Sequence, residues 1–94
     1  MARKVKNNKG FLIIEMTPEE AIDICEFGCY EELICDDCNE LLNNDEYVYY
    51  IPVLSSIFCK QCYIDWLNYA TRYDEDIEYE TKQFNHYAKL LNII

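Results

Sequence analysis

Cys35-Asp36-Asp37-Cys38 and Cys59-Lys60-Gln61-Cys62 are the segments of this chain best suited to chemistry. Together they read C-x2-C-x20-C-x2-C, the spacing of a zinc site. Zn²⁺ takes four tetrahedral ligands, and thiolate sulfur suits it. Two residues between cysteines let one tight turn aim both sulfurs at one ion. Two such turns make a closed Cys₄ set, with no open position for water or substrate, so the expected role is structural. Cys35, Cys38, Cys59 and Cys62 are therefore the expected metal ligands, zinc the expected cofactor, and no catalytic residue is assigned.

The remaining chemistry-bearing residues form no second set. Cys25 and Cys29 lie four apart and would either extend the site, pair as thiols or pack as small buried side chains, the last being preferred. His86 is the one histidine, with charged and polar neighbours. Cys38-Asn39-Glu40 followed by Cys59-x-x-Cys62 is similar in part to the zinc deaminase signature. Phe58 stands where that signature has proline, and Cys35 would be left without a role. There is no Ser-His-Asp arrangement, phosphate loop or H-E-x-x-H motif. The expectation is a protein that is not an enzyme.

Elements must position the two cysteine pairs. Residues 1–10 carry Arg3, Lys4, Lys6 and Lys9 without an acid and read as a basic flexible tail. Phe11-Leu12-Ile13-Ile14 reads as a buried strand. Thr17-Pro18-Glu19-Glu20 is a helix start, with a capping threonine, proline at the first helical position and a capping-box glutamate. That helix is expected to run to about Phe27 and stop at Gly28. Asn39 tolerates the left-handed backbone that a metal knuckle needs after its second cysteine. Residues 47–51 read as a strand that Pro52 places at a sheet edge or at its end, and Ile57-Phe58 pairs back on it as a hairpin. The second knuckle runs directly into a helix, whose free N–H groups and positive dipole end then face the thiolates. A C-terminal helix spans residues 74–92, with Ile77, Phe84 and Leu91 seven apart as one apolar stripe. The stripe packs on the rest of the domain or, as the alternative, forms a homodimer seam.

Knuckle, hairpin and a helix carrying the second ligand pair resemble a treble-clef zinc finger of the GATA and LIM type. The resemblance covers residues 35–71 and implies metal ligation by the same four cysteines. GATA fingers use basic residues on the helix and tail to bind DNA, whereas this chain has Asp65, Asp74, Glu75 and Asp76 there, so DNA binding is not implied. The whole chain, with Glu-Glu-Ala-Ile before the first pair and Tyr-Tyr-Ile-Pro-Val-Leu before the second, also looks like small phage and prophage proteins. The expected fold is thus α+β: a zinc-stapled, treble-clef-like module with a β-hairpin, an N-terminal strand and helix, and a C-terminal helix. Residues 11–94 are read as one zinc-binding domain.

Charge narrows the partners. The chain of 94 residues has a net charge of −10. Residues 11–94 hold all eighteen acids and only four bases (Lys60, Arg72, Lys82 and Lys89), a surplus of fourteen negative charges. Such a body repels phosphate backbones and is steered toward basic protein surfaces. The plain alternative is that the acidity keeps a small protein soluble. No apolar run approaches the ~20 residues of a membrane span. Six cysteines without a secretory signal fit a reducing cytoplasm. Glu31-Glu32, Asp45-Glu46 and Asp74-Glu75-Asp76 are candidate steering clusters. Tyr47, Tyr49, Tyr50, Tyr69 and Tyr73 are candidate anchors, and Trp66 reads as core. The expected function is an acidic zinc-binding interaction module that docks on a basic, nucleic-acid-binding surface of a host protein. A phage-encoded inhibitor of the anti-CRISPR or other anti-defence kind is its specific form. The alternative is a zinc-finger nucleic-acid-associated transcriptional regulator.

Overall fold

The computed structural model describes residues 2–24 and 32–93. In it the apolar run of residues 11–14 leads into strand β2, Ile13–Met16, in which every residue is buried. Strand β3, Val48–Ile51, is likewise buried throughout. Continuous burial marks strands covered on both faces, and β2 and β3 are the two inner strands of a four-stranded antiparallel sheet. Strand β1, Arg3–Val5, flanks β2, and strand β4, Ser56–Phe58, flanks β3. Helix α1 (Pro18–Asp23) follows β2, helix α2 (Lys60–Tyr69) follows β4, and helix α3 (Ile77–Leu90) is entered through one 3₁₀ turn, Asp74–Asp76. The expected α+β class is the one observed.

Two expectations change and a third is narrowed. The basic segment expected as a tail contains β1, which pairs Arg3 with Glu15, Lys4 with Ile14 and Val5 with Ile13. Its return loop is pinned by Asn7, whose Oδ1 accepts from Lys9 N and Phe11 N, and by Gly10 at φ +80°. A charged edge strand resembles a tail in composition, because the lysines that blunt an edge are the ones that suggest disorder. Of the two places allowed for Pro52, a sheet edge or a strand end, the structure takes the second, and β3 is a central strand. Pro52 lies one residue past the last paired residue, Ile51. There it needs no ladder N–H and opens the turn in which Ser55 N donates to Pro52 O. The heptad stripe of the C-terminal helix also shifts. Ile77 is partly exposed, and the inward residues of α3 are Glu80, Phe84, Tyr87 and Ala88.

Local signals elsewhere do what the sequence reading expects. Thr17 Oγ1 accepts from Glu20 N, and Glu20 Oε1 accepts from Thr17 N, closing the capping box. The expected helix end near Phe27 and Gly28 lies outside the described residues. Helix α3 ends on Asn92 at φ 59°, with Ile93 N donating to Ala88 O and Asn92 N to Lys89 O, a Schellman closure with asparagine in the glycine position. Aromatic pairs fill the core. Phe11 meets Trp66 at 4.7 Å between ring centroids, and Tyr50 meets Tyr87 at 4.1 Å.

Glu80 is the unexpected core residue, 1% exposed. Its Oε1 accepts from Arg72 Nη2 at 2.9 Å, and its Oε2 accepts from Leu12 N at 3.1 Å. One carboxylate thereby ties α3 to the link before it and to the backbone entering β2. Lys9 Nζ, donating to Ala70 O at 2.7 Å, closes the same junction from the other side.

Removing that carboxylate leaves the partly exposed Arg72 guanidinium and the Leu12 amide without their acceptor. Glu80→Ala should lower the unfolding free energy by about 2–4 kcal/mol in urea denaturation, whereas Glu78→Ala on the exposed face should stay within about 0.5 kcal/mol. Acid should act through Glu20. Burial raises its pKa, but the Thr17 and Ala2 amides and the Thr17 hydroxyl outweigh that and hold it below the ordinary 4.5. A lowered folded pKa gives stability that is present above the unfolded value and lost as pH falls through the folded one. The melting-temperature gap between wild type and Glu20→Gln should therefore hold at neutral pH and close below about 4.5.

Candidate metal centre

The first cysteine pair sits on a tight knuckle. Ile34 and Leu41 form an isolated antiparallel bridge, and inside it Cys35 N donates to Glu40 O and Asn39 N donates to Cys35 O. Asn39 takes φ 63°, the left-handed turn expected after the second cysteine. The second pair needs no such turn, because Cys59 is the N-cap of α2. Its Sγ accepts from Cys62 N at 3.4 Å, so the first turn of the helix brings both sulfurs to one side.

The two pairs meet because the knuckle is bonded to the outer edge of β4. Asp36 N donates to Ile57 O at 2.9 Å, and Asp36 Oδ2 accepts from Ile57 N at 2.7 Å. This imitates one rung of a β-ladder, with a side chain in place of a strand. It also covers an edge that would otherwise be open to pairing. Cys59 N then donates to Cys35 Sγ at 3.4 Å, joining the pairs directly.

All four sulfurs lie within 4.8 Å of one another, with Cys38 Sγ and Cys59 Sγ 3.9 Å apart. A tetrahedral ion with metal–sulfur bonds of about 2.3 Å requires sulfur–sulfur edges of roughly 3.8 Å. The four are free cysteines rather than disulfides. Their electrostatics call for a cation. Burial pushes the Cys35 thiol up, but the amides of Cys38, Cys59 and Asp37 outweigh it and hold the pKa below the ordinary range. Cys62 is pushed far up by burial and by the facing sulfurs of Cys59 and Cys38. Four thiolates this close cannot all ionise unless a positive ion lies among them. By donor type, number and spacing the cluster is suited to hold a metal ion. Sulfur in this geometry suits zinc or iron.

The structure brings together all four sequence-expected ligands and adds no histidine or carboxylate to them among the described residues. Cys35 is a full member of the cluster, which removes the basis of the deaminase-like pattern, where it has no place. Cys25 and Cys29 lie outside the described residues. His86 is exposed on α3, its ring edge-on to Tyr87 at 5.1 Å. The sequence reading missed Asp36. An aspartate between two metal-ligating cysteines carries no signal of its own, and only the placement of β4 gives it a partner. Among the described residues no helix is long and apolar enough to cross a membrane. Comparison of the chain with protein-family models, with curated proteins and with solved structures returns no match.

Because the sulfurs converge only in the folded chain, metal affinity and folding are one equilibrium. Purified under reducing conditions, the protein should carry one metal ion per chain by elemental analysis. Cys59→Ser should lose both the ion and most of the folded far-ultraviolet spectrum. Asp36→Ala should keep the ion and cost about 1–2 kcal/mol of stability, the price of one buried amide left without its acceptor.

Proposed function

We propose that this chain is a non-enzymatic protein-interaction module, stapled by Zn²⁺ at Cys35, Cys38, Cys59 and Cys62, that docks on a basic surface of a partner protein. The observation that carries the reading is where the charges go. Among the described residues, four of the eight bases are engaged by the molecule's own groups. Arg3 pairs with Glu15 and Arg72 with Glu80, Lys9 Nζ bonds Ala70 O, and Lys4 Nζ lies 5.9 Å from the Phe84 ring centroid. The acids stand outward. Glu19, Asp23, Glu32, Asp36, Asp37, Glu40, Asp45, Glu46, Asp65, Asp74, Glu75 and Glu78 are all exposed. Exposed acids outnumber exposed bases, and a surface with that excess steers association with the opposite sign and repels phosphate.

The aromatic anchors move accordingly. Tyr49 and Tyr50 are buried and drop out of the candidate set, while Tyr69 is 73% exposed, Tyr73 55% and Tyr79 45%. Tyr73 directly precedes the acidic turn Asp74–Asp76. Charge for approach and tyrosine for retention thus lie side by side. Zinc is favoured over iron by its preference for a closed, redox-silent thiolate site. A knuckle, a hairpin and a helix bearing the second pair also support the treble-clef reading of residues 35–71. Blocking a nucleic-acid-binding channel of a host machine, as a phage-encoded inhibitor would, is the specific form of this proposal. The nucleic-acid regulator is the reading it competes with, and that one needs free bases.

Two measurements separate them. In fluorescence anisotropy at about 0.15 M salt, DNA and RNA should bind no more tightly than micromolar, the range of non-specific contact. Sub-micromolar binding abolished by Lys4→Glu with Lys6→Glu would instead establish the regulator. In surface plasmon resonance on a captured partner, reversing Asp74, Glu75 and Asp76 to lysine should mainly slow association, and the loss should shrink with added salt. Tyr69→Ala or Tyr73→Ala should mainly speed dissociation, at a cost of about 2 kcal/mol or more.

A further inference from the structure

The sheet register sets Arg3, Glu15, Tyr49 and Phe58 in one row across the four strands. At the β3 end of this row, Tyr63 of α2 stacks on Tyr49, with centroids 4.7 Å apart and planes within 9°. Toward β1 lies a cavity of about 360 Å³, lined by these row residues Arg3, Glu15 and Tyr49 together with Asp45, Glu46, Tyr47 and Lys60. That volume falls at the small end of the ~300–1,000 Å³ range of ligand sites.

Glu15 is 8% exposed, a carboxylate in the middle of a sheet face. Its Oε1 accepts from Arg3 Nε and its Oε2 from the Tyr49 hydroxyl, both at 2.8 Å. Arg3 is therefore committed, and Lys60 adds a second attraction to the same carboxylate. Asp45 and Glu46 remain. Both are exposed, and neither has an ion pair among the described residues. Three carboxylates against two cations leave the cavity net negative, with the surplus on Asp45 and Glu46. Tyr47, half-buried between Glu46 and β3, adds an aromatic wall. No three carboxylates converge closely enough to hold a metal ion among the described residues. What fits a net-negative recess with a tyrosine wall is an organic cation on a flexible stem.

We propose that this cavity receives a lysine or arginine side chain of the partner, paired with Asp45 and Glu46 and lying along Tyr47. This rests on the docking reading and names its contact point. It also separates the acidic clusters into two kinds: Asp45 and Glu46 bind, whereas Asp74, Glu75 and Asp76 steer. A basic side chain reaching the cavity would meet Asp45 and Glu46 without displacing Arg3 from Glu15.

The probe is a heptalysine peptide, with heptaarginine in parallel and heptaglutamate as the opposite-charge control. Each is titrated into ¹⁵N-labelled, metal-loaded protein at 0.02 and 0.15 M salt. The expected result is saturable shift changes centred on the amides of Glu15, Asp45, Glu46, Tyr47 and Lys60 with the cationic peptides. Asp45→Lys with Glu46→Lys should weaken binding at least tenfold at both salt concentrations. Tyr47→Leu should weaken it several-fold while leaving the rest of the spectrum in place. Reversing Asp74, Glu75 and Asp76 should give a loss that largely disappears at the higher salt. Saturable shifts centred elsewhere, or spread over every acidic residue, would overturn the cavity assignment and leave the docking reading standing. Heptaglutamate binding in the cavity would overturn it by showing Arg3 and Lys60 to be the recognising groups. No binding of either cationic peptide at 0.02 M salt would overturn both readings together.

Discussion

Four sulfurs within 4.8 Å are the constraint from which the rest of this structure follows. Thiolates at that distance repel one another unless a cation lies among them, so the cluster and its ion form or fail together. The scaffold reflects this dependence. The knuckle donates amides to Cys35, the first turn of α2 donates one to Cys59, and Asp36 fastens the knuckle to β4. An ion held by these sulfurs would join a loop, a strand edge and a helix start. Strand β4 is three residues long and would hold such an edge weakly by itself.

A second tie works at the other end of the sheet without metal. Glu80, Arg72, Lys9 and the Leu12 amide form a polar junction around the buried Glu80 carboxylate, linking α3, the segment after α2 and the entry to β2. Glu15 with Arg3 and Tyr49 does the same for β1. In a chain with so few bases, spending three of them on internal contacts has an outward consequence. The exposed surface carries an excess of carboxylate, and the contacts that secure the fold occupy part of the small complement of bases.

The tyrosines divide along a similar line. Those on β3 and the facing sides of α2 and α3 (Tyr49, Tyr50, Tyr63 and Tyr87) are buried against one another. Burial moves the Tyr49, Tyr50 and Tyr63 hydroxyls above their ordinary pKa, which keeps these rings neutral core members. Tyr69, Tyr73 and Tyr79 are exposed at the end of α2, just before the acidic turn and on α3. Packing has sorted one residue type into structural and surface populations, and only the latter can serve recognition.

The sequence by itself determined whatever rests on short-range spacing. The two cysteine pairs, the left-handed Asn39, the Thr17–Glu20 capping box and the helix starting at the second pair each depend on residues within a few positions of one another. The convergence of the two cysteine pairs was legible too, because doubled C-x2-C is a metal-ligand spacing. Tertiary structure alone decided the rest. Arg3–Val5 is a strand only because β2 offers it a partner, and β3 is central only because β1 and β2 stack beyond it. Glu80 is inside and Ile77 partly outside because Arg72 and the Leu12 amide wait at the one position and nothing apolar covers the other. Asp36, Arg3 and Glu15 gain their roles from partners more than ten residues away. A carboxylate in a chain with eighteen of them gives no sign of which few will be buried, since that depends on donors that only the folded sheet and helices bring within reach.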